Sequence, residues 1–212
     1  MDKERVKQLN IATFNKWAPD YDKAFLAKHP QKLNDVVLDM LRGREFASLL
    51  DVGCGTGHFL SLLLNKPHGS GREAHGLGLA GIDISPGMLD IARQRLGDSV
   101  DLREGDIALL PWPDDTFDVV TSTDAVHHFP DPNPALAEIK RVIKPGGILI
   151  IADMWLPAPF RQLFNLILPF TREGDVRIYS RRQMLSFMTM NEYKDISWKR
   201  FELLGQTTTG LK

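Results

Sequence analysis

The stretch 47–64 constrains the fold of this chain more than any other part of the sequence. A short apolar run ends in the carboxylate of Asp51, and a glycine-rich turn and a helix-like apolar stretch follow it. Glycine occupies every second position of the turn, at Gly53, Gly55 and Gly57. Glycine allows positive φ and keeps Cβ atoms out of the space above the turn. We therefore predict a buried strand, a tight turn and a helix whose first N–H groups face a small ligand.

The spacing of these glycines distinguishes two kinds of nucleotide-binding turn. The dinucleotide fingerprint G-x-G-x-x-G would need its third glycine at position 58, where the chain has His58. The chain has the pattern G-x-G-x-G instead. Because a glycine-rich turn is a weak signal by itself, a Rossmann-like turn for a different ligand stays an open alternative on this stretch.

Composition limits the class of protein. The 212 residues are 43% hydrophobic and 25% charged, which suits one folded domain over 1–212. The formal net charge of −1 predicts no general attraction to nucleic acid. Cys54 is the only cysteine, so an intramolecular disulfide and a cysteine-rich metal site are excluded. The sequence shows neither a signal peptide nor an apolar run of about 20 residues, so we expect a cytoplasmic protein without a membrane span.

Strands and helices are expected to alternate after the glycine-rich turn. An amphipathic helix is predicted over 33–41, and a closing hairpin over 196–209. Further apolar strands are predicted over 79–82, 100–104, 117–122 and 148–153. Alternating strands and helices predict an α/β fold, a doubly wound parallel sheet.

Asp83 follows the second predicted strand. Ser85 and Pro86 are a suitable N-cap and first residue for the next helix. A carboxylate at the carboxyl end of this strand can accept hydrogen bonds from both hydroxyls of a ribose, as in dinucleotide sites. The alternative is an acid that lies near a helix start without contacting a ligand. Beside the turn at 53–57, the ribose interpretation is favoured.

Four segments together resemble the class I S-adenosylmethionine-dependent methyltransferases, in particular the ubiquinone/menaquinone-type enzymes. They are the D-x-G-x-G-x-G segment 51–57, the block 104–122, the K-P-G-G segment 143–153 and the W-A-x-x-Y-D segment 17–22. The third departs from the family pattern, since Ile143 stands at a leucine position. The resemblance covers essentially the whole chain and is most specific over 49–153. It implies a Rossmann-like seven-stranded sheet in the order 3-2-1-4-5-7-6, with strand seven antiparallel and helices on both faces.

The resemblance also implies how one methyltransferase domain is divided. Its parts would be N-terminal helices and a flap (1–45), a cofactor-binding core (46–153), a candidate substrate lid (154–179), and a helix and hairpin (180–212). S-adenosylmethionine would be the cofactor and S-adenosylhomocysteine the product. Asp106 would accept from the adenine amino group, and the N–H of Ile107 would contact the ring. The implied cofactor residues are Tyr21, Asp51, Gly53, Cys54, Gly55, Gly57, Asp83, Ile84, Met88, Asp106, Ile107, Ser122 and Thr123.

An aromatic-rich segment, 14–22, lies ahead of the first strand. From the residues alone, packing on the core is the favoured interpretation. The family resemblance implies instead a flap over the cofactor, with Tyr21 above its methionine end and Trp17 near the acceptor pocket.

Two histidines, His127 and His128, follow the fourth predicted strand. Ligands of open parallel sheets bind beyond the carboxyl ends of the strands, so these side chains are expected to face the site. A histidine can act as a general base at neutral pH. His128 is the candidate if the acceptor must lose a proton, and His127 is a weaker one. The alternative is that the pair shapes the pocket.

Two segments interrupt the alternation. The apolar stretch 160–168 is bracketed by prolines and is either core or a lid over an apolar acceptor. The lid interpretation would place Phe160 and Phe164 in a substrate pocket together with Trp17 and His128. The glycine-rich stretch 65–76 predicts an exposed loop. Its two histidines have no carboxylate or cysteine cluster, so we expect no metal.

The implied function is methyl transfer from S-adenosylmethionine to a small-molecule acceptor, apolar or aromatic in character. The sulfonium already activates the methyl group, so the protein mainly has to hold the acceptor in line. Two alternatives stay open: a catalytically silent cofactor-binding scaffold and, disfavoured by His58, an NAD-dependent oxidoreductase. The chain lacks the N-P-P-Y or D-P-P-Y motif of amino-methylating nucleic-acid enzymes, so no nucleic-acid partner is expected. A monomer or a homodimer is expected.

Overall fold

The computed structural model describes residues 2–23, 28–65, 76–171 and 176–212. Its strands are β1 Ser48–Val52, β2 Gly78–Asp83, β3 Asp101–Glu104, β4 Phe117–Thr123, β5 Ile143–Met154, β6 Lys194–Phe201 and β7 Gly205–Leu211. Its α-helices are α1 Lys3–Trp17, α2 Lys28–Leu41, α3 His58–Leu64, α4 Pro86–Leu96, α5 Pro132–Val142, α6 Phe160–Thr171 and α7 Arg181–Met190. Most of the predicted loop 65–76 lies outside the described residues.

The seven strands form one sheet in the order β3-β2-β1-β4-β5-β7-β6. The pairs that join β3, β2, β1, β4 and β5 are parallel. Strand β7 is antiparallel to both of its neighbours, β5 and β6. The predicted fold class, strand order and strand direction are therefore confirmed. The carboxyl ends of the parallel strands meet at one edge of the sheet.

Helices cover the sheet on both faces. Leu49 and Leu50, neighbours on β1, are both fully buried but belong to different clusters. Leu49 packs with side chains of α2, α3 and α4, and Leu50 packs with side chains of α5 and α7. Because successive side chains of a strand point to opposite faces, a strand covered on both sides needs a continuous apolar run. This explains why the neighbours Leu49 and Leu50, which face opposite sides of the sheet, are both apolar.

Helix starts follow the local signals in the sequence. Ser85 accepts a hydrogen bond from the backbone N–H of Met88 at the start of α4. Asp131 caps α5 in the same way, and Ser180 and Gln183 form a capping box at α7. The cap at Ser85 confirms the predicted start of α4, and all three caps depend on residues within one turn of their helix.

Strand β5 begins earlier than predicted. Phe117 pairs with Ile143, but Val119 pairs with Ile148, so 144–147 form a bulge within the strand pairing. Lys144 is held there by an ion pair with Asp118 at 2.8 Å. The predicted turn is thus present as an irregularity of β5 and not as a separate connection.

The apolar stretch 160–168 lies in α6 and is largely exposed. Phe160 is 63% exposed and Phe164 is 48% exposed, whereas Leu168 is buried. The interpretation of this stretch as ordinary core is therefore wrong, and its role as a lid stays a prediction. Within the described ranges, no helix is both long enough and apolar enough to cross a membrane.

Candidate functional site

A cavity opens at the carboxyl edge of the sheet. Its walls come from the loops after β1, β2, β3 and β4 and from α1 and α2. The structure brings together in this lining the predicted site residues Tyr21, Asp51, Gly53, Cys54, Gly55, Asp83, Ile84, Met88, Asp106, Ile107, Thr123 and His128. Residues that are far apart in the chain therefore share one concave surface.

The other predicted site residues lie outside the lining of this cavity. Gly57 is the N-cap of α3, and Ser122 and His127 are buried behind the cavity wall. Trp17, Phe160 and Phe164 are exposed side chains that do not line the cavity. The functional roles of these six residues stay predictions.

The glycine-rich turn has positive φ at Gly53, Gly55 and Gly57. A Cβ atom at Gly53 would lie 2.7 Å from the Cβ of Ala125, and one at Gly57 would lie 2.7 Å from Cδ1 of Leu96. A Cβ atom at Gly55 would meet nothing within 4 Å. Two of the glycines thus permit close packing of the protein on itself. Gly55 leaves backbone exposed to the open space of the cavity, which suits a ligand.

Asp83 links the glycine turn to the start of α4. Its carboxylate accepts from the N–H of Gly55 at 2.8 Å and from the N–H of Ser85 at 2.9 Å. Burial raises the pKa of Asp83, and these two donors oppose that rise. Each carboxylate oxygen has more than one acceptor site. Asp83 can therefore hold the turn and still accept hydrogen bonds from a ligand.

Asp51, at the end of β1, is buried beside Asp83. Thr121 Oγ1 donates a hydrogen bond to its carboxylate at 2.8 Å. The pKa of Asp51 is raised to about 7, mainly by burial, with the hydrogen bond from Thr121 lowering it and the nearby charge of Asp83 adding to the rise. A cationic ligand group at this point would favour the charged carboxylate.

Cys54 shares the buried turn with these carboxyl groups. Burial raises the pKa of its thiol well above the ordinary value. The thiol therefore stays protonated and is a poor nucleophile. Its small side chain packs against Gly81, where an added Cβ would lie 2.9 Å from the sulfur.

Helix α1 forms one wall of the cavity. Lys7 makes an ion pair with Asp106, and its hydrogen bond to Asp106 raises the pKa of Lys7. Asn10 donates from Nδ2 to the backbone carbonyl of His128 at 3.1 Å. The ring of Phe14 contacts the ring of His128 edge-on, with centroids 4.9 Å apart. One helix face thus contacts the loops after β3 and β4.

Asn15, also on α1, reaches the start of α4. Its side-chain oxygen accepts from Ser85 Oγ and from the N–H of Gly87, both at 2.8 Å. Gly87 is needed here, because a Cβ atom would lie 2.9 Å from the same oxygen. The helix therefore also contacts the loop after β2.

The short 3₁₀ segment Ala18–Lys23 is joined to the glycine turn. Thr56 donates from Oγ1 to Asp22 at 3.0 Å, and Arg95 of α4 makes an ion pair with Asp22. Arg95 also donates to the carbonyl of Thr56 at 2.7 Å. The end of the predicted flap is therefore attached through polar contacts to the turn after β1.

The sequence analysis missed Lys7, Asn10 and Asn15 and gave no role to Asp22. Lys7, Asn10 and Phe14 have the i, i+3, i+7 spacing of one helix face. That spacing is the signal in the sequence that could have placed these three side chains together. It does not show that this face lines a site, because a polar helix face normally points to solvent.

His127 and His128 lie against each other at the end of β4, with ring centroids 4.0 Å apart. His127 Nδ1 is 2.6 Å from Asp153 Oδ1, and the backbone N–H of His127 donates to Asp153 Oδ2. Asp153 thus fixes the ring that supports His128, and His128 itself lines the cavity.

Asp124, His127 and Asp153 place potential metal-ligand atoms within 4.8 Å of one another. The hydrogen bonds between His127 and Asp153 already account for the orientation of two of the three groups. The expectation that the chain holds no metal stays a prediction.

Comparison with known proteins agrees with this geometry. Residues 50–151 match a family profile described as a methyltransferase domain. The chain is 29% identical over 216 residues to the malonyl-[acyl-carrier protein] O-methyltransferase of Serratia marcescens, which covers 97% of this chain and 80% of that protein. It is 29% identical over 192 residues to the demethylmenaquinone methyltransferase of Bacillus licheniformis, covering 87% of this chain and 76% of that protein.

A solved structure extends the likeness to the fold. The chain superposes on an S-adenosylmethionine-dependent methyltransferase of Thermotoga maritima with a TM-score of 0.72 at 20% identity. The match covers 95% of this chain and 99% of that one. The sheet order and the carboxyl-edge cavity define a Rossmann-like class I methyltransferase fold. The methyltransferase-domain match and the two relatives named as methyltransferases support an S-adenosylmethionine-dependent methyltransferase.

Proposed function

We propose that this enzyme transfers the methyl group of S-adenosylmethionine to an aromatic or apolar small molecule held at the His128 end of the cavity. The observation that carries the proposal is the division of the cavity lining. The lining near the glycine turn carries carboxyl groups, and the lining around His128, beside Asn10 and Asp124, carries side chains that are apolar or aromatic. These apolar and aromatic side chains are Phe14, Ala125, Phe129 and Pro130.

The residues present fit the cofactor. The lining contains five carboxyl groups, of Asp22, Asp51, Asp83, Asp106 and Asp124, and one lysine. S-adenosylmethionine carries a sulfonium and an ammonium, so an acidic lining favours it electrostatically. The open space above Gly55 leaves room for a ligand against the backbone. Thr123 Oγ1 is buried and has no hydrogen-bond partner among the described residues, which leaves it available to a ligand.

Each part of the cofactor would be held by a different loop. Asp83 would accept from the ribose hydroxyls, and Asp51 would pair with the amino group of the methionine part. Asp106 and Ile107 would contact the adenine, with Asp106 shared between the ring and Lys7. Tyr21 would cover the methionine end. The supporting observation is that all five side chains line one cavity.

The bound cofactor supplies an activated methyl group, and the protein residues position the reaction partners. Helix α1 and the segment Ala18–Lys23 would exclude water, supported by their contacts with four loops of the cavity. His128 would take a proton from an acceptor that must lose one. Asp153 and His127 would hold His128 in place.

The two relatives suggest different acceptor classes. One is named for demethylmenaquinone, which contains an aromatic ring system, and the other for a malonyl carboxylate on a carrier protein. A carboxylate acceptor would enter a cavity lined by five carboxyl groups with Lys7 as the single opposing charge in the described lining. The aromatic class is therefore the better match.

A radiolabelled methyl-transfer assay tests the proposal. We expect transfer to a phenol, a catechol or a quinol with an apolar substituent, and little transfer to a free or carrier-bound malonyl carboxylate. Preferred transfer to the carboxylate would overturn the acceptor class. S-adenosylhomocysteine binding without transfer to any acceptor of the panel would support the catalytically silent scaffold. Tighter binding of NADH than of S-adenosylhomocysteine would contradict the cofactor assignment.

A further inference from the structure

Helix α6 exposes most of its apolar side chains to solvent and turns two polar side chains toward the protein. The residues turned toward the protein are Arg161, Asn165 and Leu168. Beside the exposed Gln162 and Thr171, six exposed apolar side chains are together named the α6 patch: Phe160, Leu163, Phe164, Leu166, Ile167 and Phe170. Their exposed fractions range from 48% to 80%. A continuous exposed apolar surface of this kind on a folded protein marks an interaction site.

The orientation of α6 is set by hydrogen bonds of its polar side chains. Asn165 donates from Nδ2 to the carbonyl of Ile178 at 3.0 Å and accepts from the N–H of the same residue at 2.9 Å. Arg161 donates to the carbonyl of Leu156 at 3.1 Å. These bonds hold the polar side inward, so the apolar side faces solvent as a consequence of specific contacts.

The patch lies at the edge of the sheet that carries the cavity. The segment before α6 leaves β5 at its carboxyl end, where the N–H of Trp155 donates to the carbonyl of Leu204 at 2.7 Å. The hairpin tip at this point is also apolar and exposed, with Leu203 at 76% and Leu204 at 42%. The segment after α6 returns to the site, because the N–H groups of Val176 and Arg177 donate to the carbonyl of His127.

The charge around the patch is positive. Residues 154–190 contain five arginines and two carboxylate residues, a net charge of +3, in a chain whose total is −1. Arg177, Arg181 and Arg182 are exposed. The remainder of the chain is therefore net negative, at −4.

We propose that the α6 patch docks this enzyme onto an anionic lipid surface. Large apolar and aromatic side chains on one helix face, in a segment that also carries exposed arginines, are the pattern of helices that lie in the membrane interface. The arginines would contact lipid phosphates while the apolar side chains enter the acyl boundary. A second copy of the chain is a poorer occupant, because a two-fold contact would bring two segments of charge +3 together. This inference does not depend on the identity of the methyl acceptor.

Vesicle co-sedimentation of the full chain tests the proposal. We expect binding to vesicles of phosphatidylcholine with one third phosphatidylglycerol, and much weaker binding to phosphatidylcholine alone. The double variant Phe164→Ser/Ile167→Ser should lower partitioning at least tenfold. The variant Arg177→Gln/Arg182→Gln should lower it about 30-fold on anionic vesicles, at about 1 kcal/mol for each arginine. Added salt should weaken binding of the unaltered protein.

Matched control variants elsewhere on the surface test whether the loss of vesicle binding is specific to the α6 patch and its arginines. A general loss of apolar surface or of positive charge would affect the control variants as well. Leu109→Ser removes another exposed apolar side chain, and Lys194→Gln/Lys199→Gln removes two exposed charges. Both should bind vesicles like the unaltered chain, and all variants should bind S-adenosylhomocysteine with unchanged affinity. Absence of vesicle binding by the unaltered chain overturns the proposal, as does an equal loss in the control variants. Dimerisation that is lost in Phe164→Ser/Ile167→Ser would assign the patch to a second copy instead.

Discussion

The carboxylate of Asp83 accepts a hydrogen bond from the backbone N–H of Gly55 at 2.8 Å, across the gap between the loops after β2 and β1. The same carboxylate accepts from the N–H of Ser85. One side chain thus fixes the distance between the glycine turn and the start of α4. In the proposed function the same residue also holds the ribose, so its removal affects the site in two ways.

Replacing Asp83 should therefore weaken cofactor binding strongly. Asp83→Ala removes the acceptors for the ribose hydroxyls and for two backbone donors, and the expected loss of S-adenosylhomocysteine affinity is about 2–4 kcal/mol. Asp83→Asn keeps one acceptor oxygen and should give a smaller loss. Titration calorimetry measures both. Unchanged affinity in a folded Asp83→Ala variant would contradict the ribose assignment.

Gly55→Val should abolish cofactor binding with little loss of the fold. The added side chain would enter the open space of the cavity, since nothing lies within 4 Å of the Cβ position. Positive φ adds backbone strain of about 1–2 kcal/mol. Gly43→Val is the matched control, because Gly43 also has positive φ and an open Cβ position but lies outside the cavity lining. Thermal unfolding and calorimetry should show similar stabilities and a loss of binding in Gly55→Val alone.

The raised pKa of Asp51 predicts a pH-dependent stability. The folded-state pKa is about 7 and the usual pKa is 3.8, so between these values the folded protein binds a proton that the unfolded chain has lost. The free energy of unfolding should therefore fall as pH rises from about 4 to about 7. The contribution is at most about 4 kcal/mol.

Asp51→Asn separates this contribution from those of other acids. The amide oxygen can still accept from Thr121, but the side chain does not titrate. Urea unfolding at pH 5 and pH 8 should show a smaller fall in stability for Asp51→Asn than for the unaltered chain. An equal fall in both proteins would show that Asp51 keeps an ordinary pKa.

His128→Ala should reduce turnover more than binding. If His128 takes a proton from the acceptor, kcat should fall by about 10²–10⁴-fold at neutral pH. S-adenosylhomocysteine affinity should change little. The same variant assayed with an acceptor that is already ionised should recover most of the lost rate. An equal loss with both acceptors would assign His128 to shaping the pocket.

The contacts of α1 predict that the flap is ordered by the cofactor. Hydrogen exchange in 10–23 should slow when S-adenosylhomocysteine is added, because the ligand would lie beneath this segment. Arg95→Gln removes the ion pair with Asp22 and should raise exchange in this segment without the ligand. Exchange in α5 should be unaffected in both cases. Equal protection of 10–23 with and without the ligand would mean that the segment is ordinary core.

Local signals account for the parts of the fold that the sequence predicted well. The turn at 53–57, the cap at Ser85 and the capping box at Ser180 each depend on residues a few positions apart, and the structure contains all three. Asp83 was predicted as a ligand-binding residue because the carboxyl end of a parallel strand lies at the edge of the sheet where ligands bind. These features follow from backbone geometry, which a short stretch of chain carries with it.

Tertiary packing decided which face of α1 and α6 points inward, because a helical period identifies a face but not its neighbour. On α1, the polar side chains of Lys7 and Asn10 turn toward the cavity, since partners are available there on Asp106 and His128. On α6, the two hydrogen bonds between the Asn165 side chain and the backbone of Ile178 fix which side faces the protein, and six apolar side chains stay exposed. Glycine spacing and the alternation of strands and helices were thus readable from the chain itself, and the family resemblance implied the strand order, whereas the wall of the site and the exposed patch depended on contacts between distant segments.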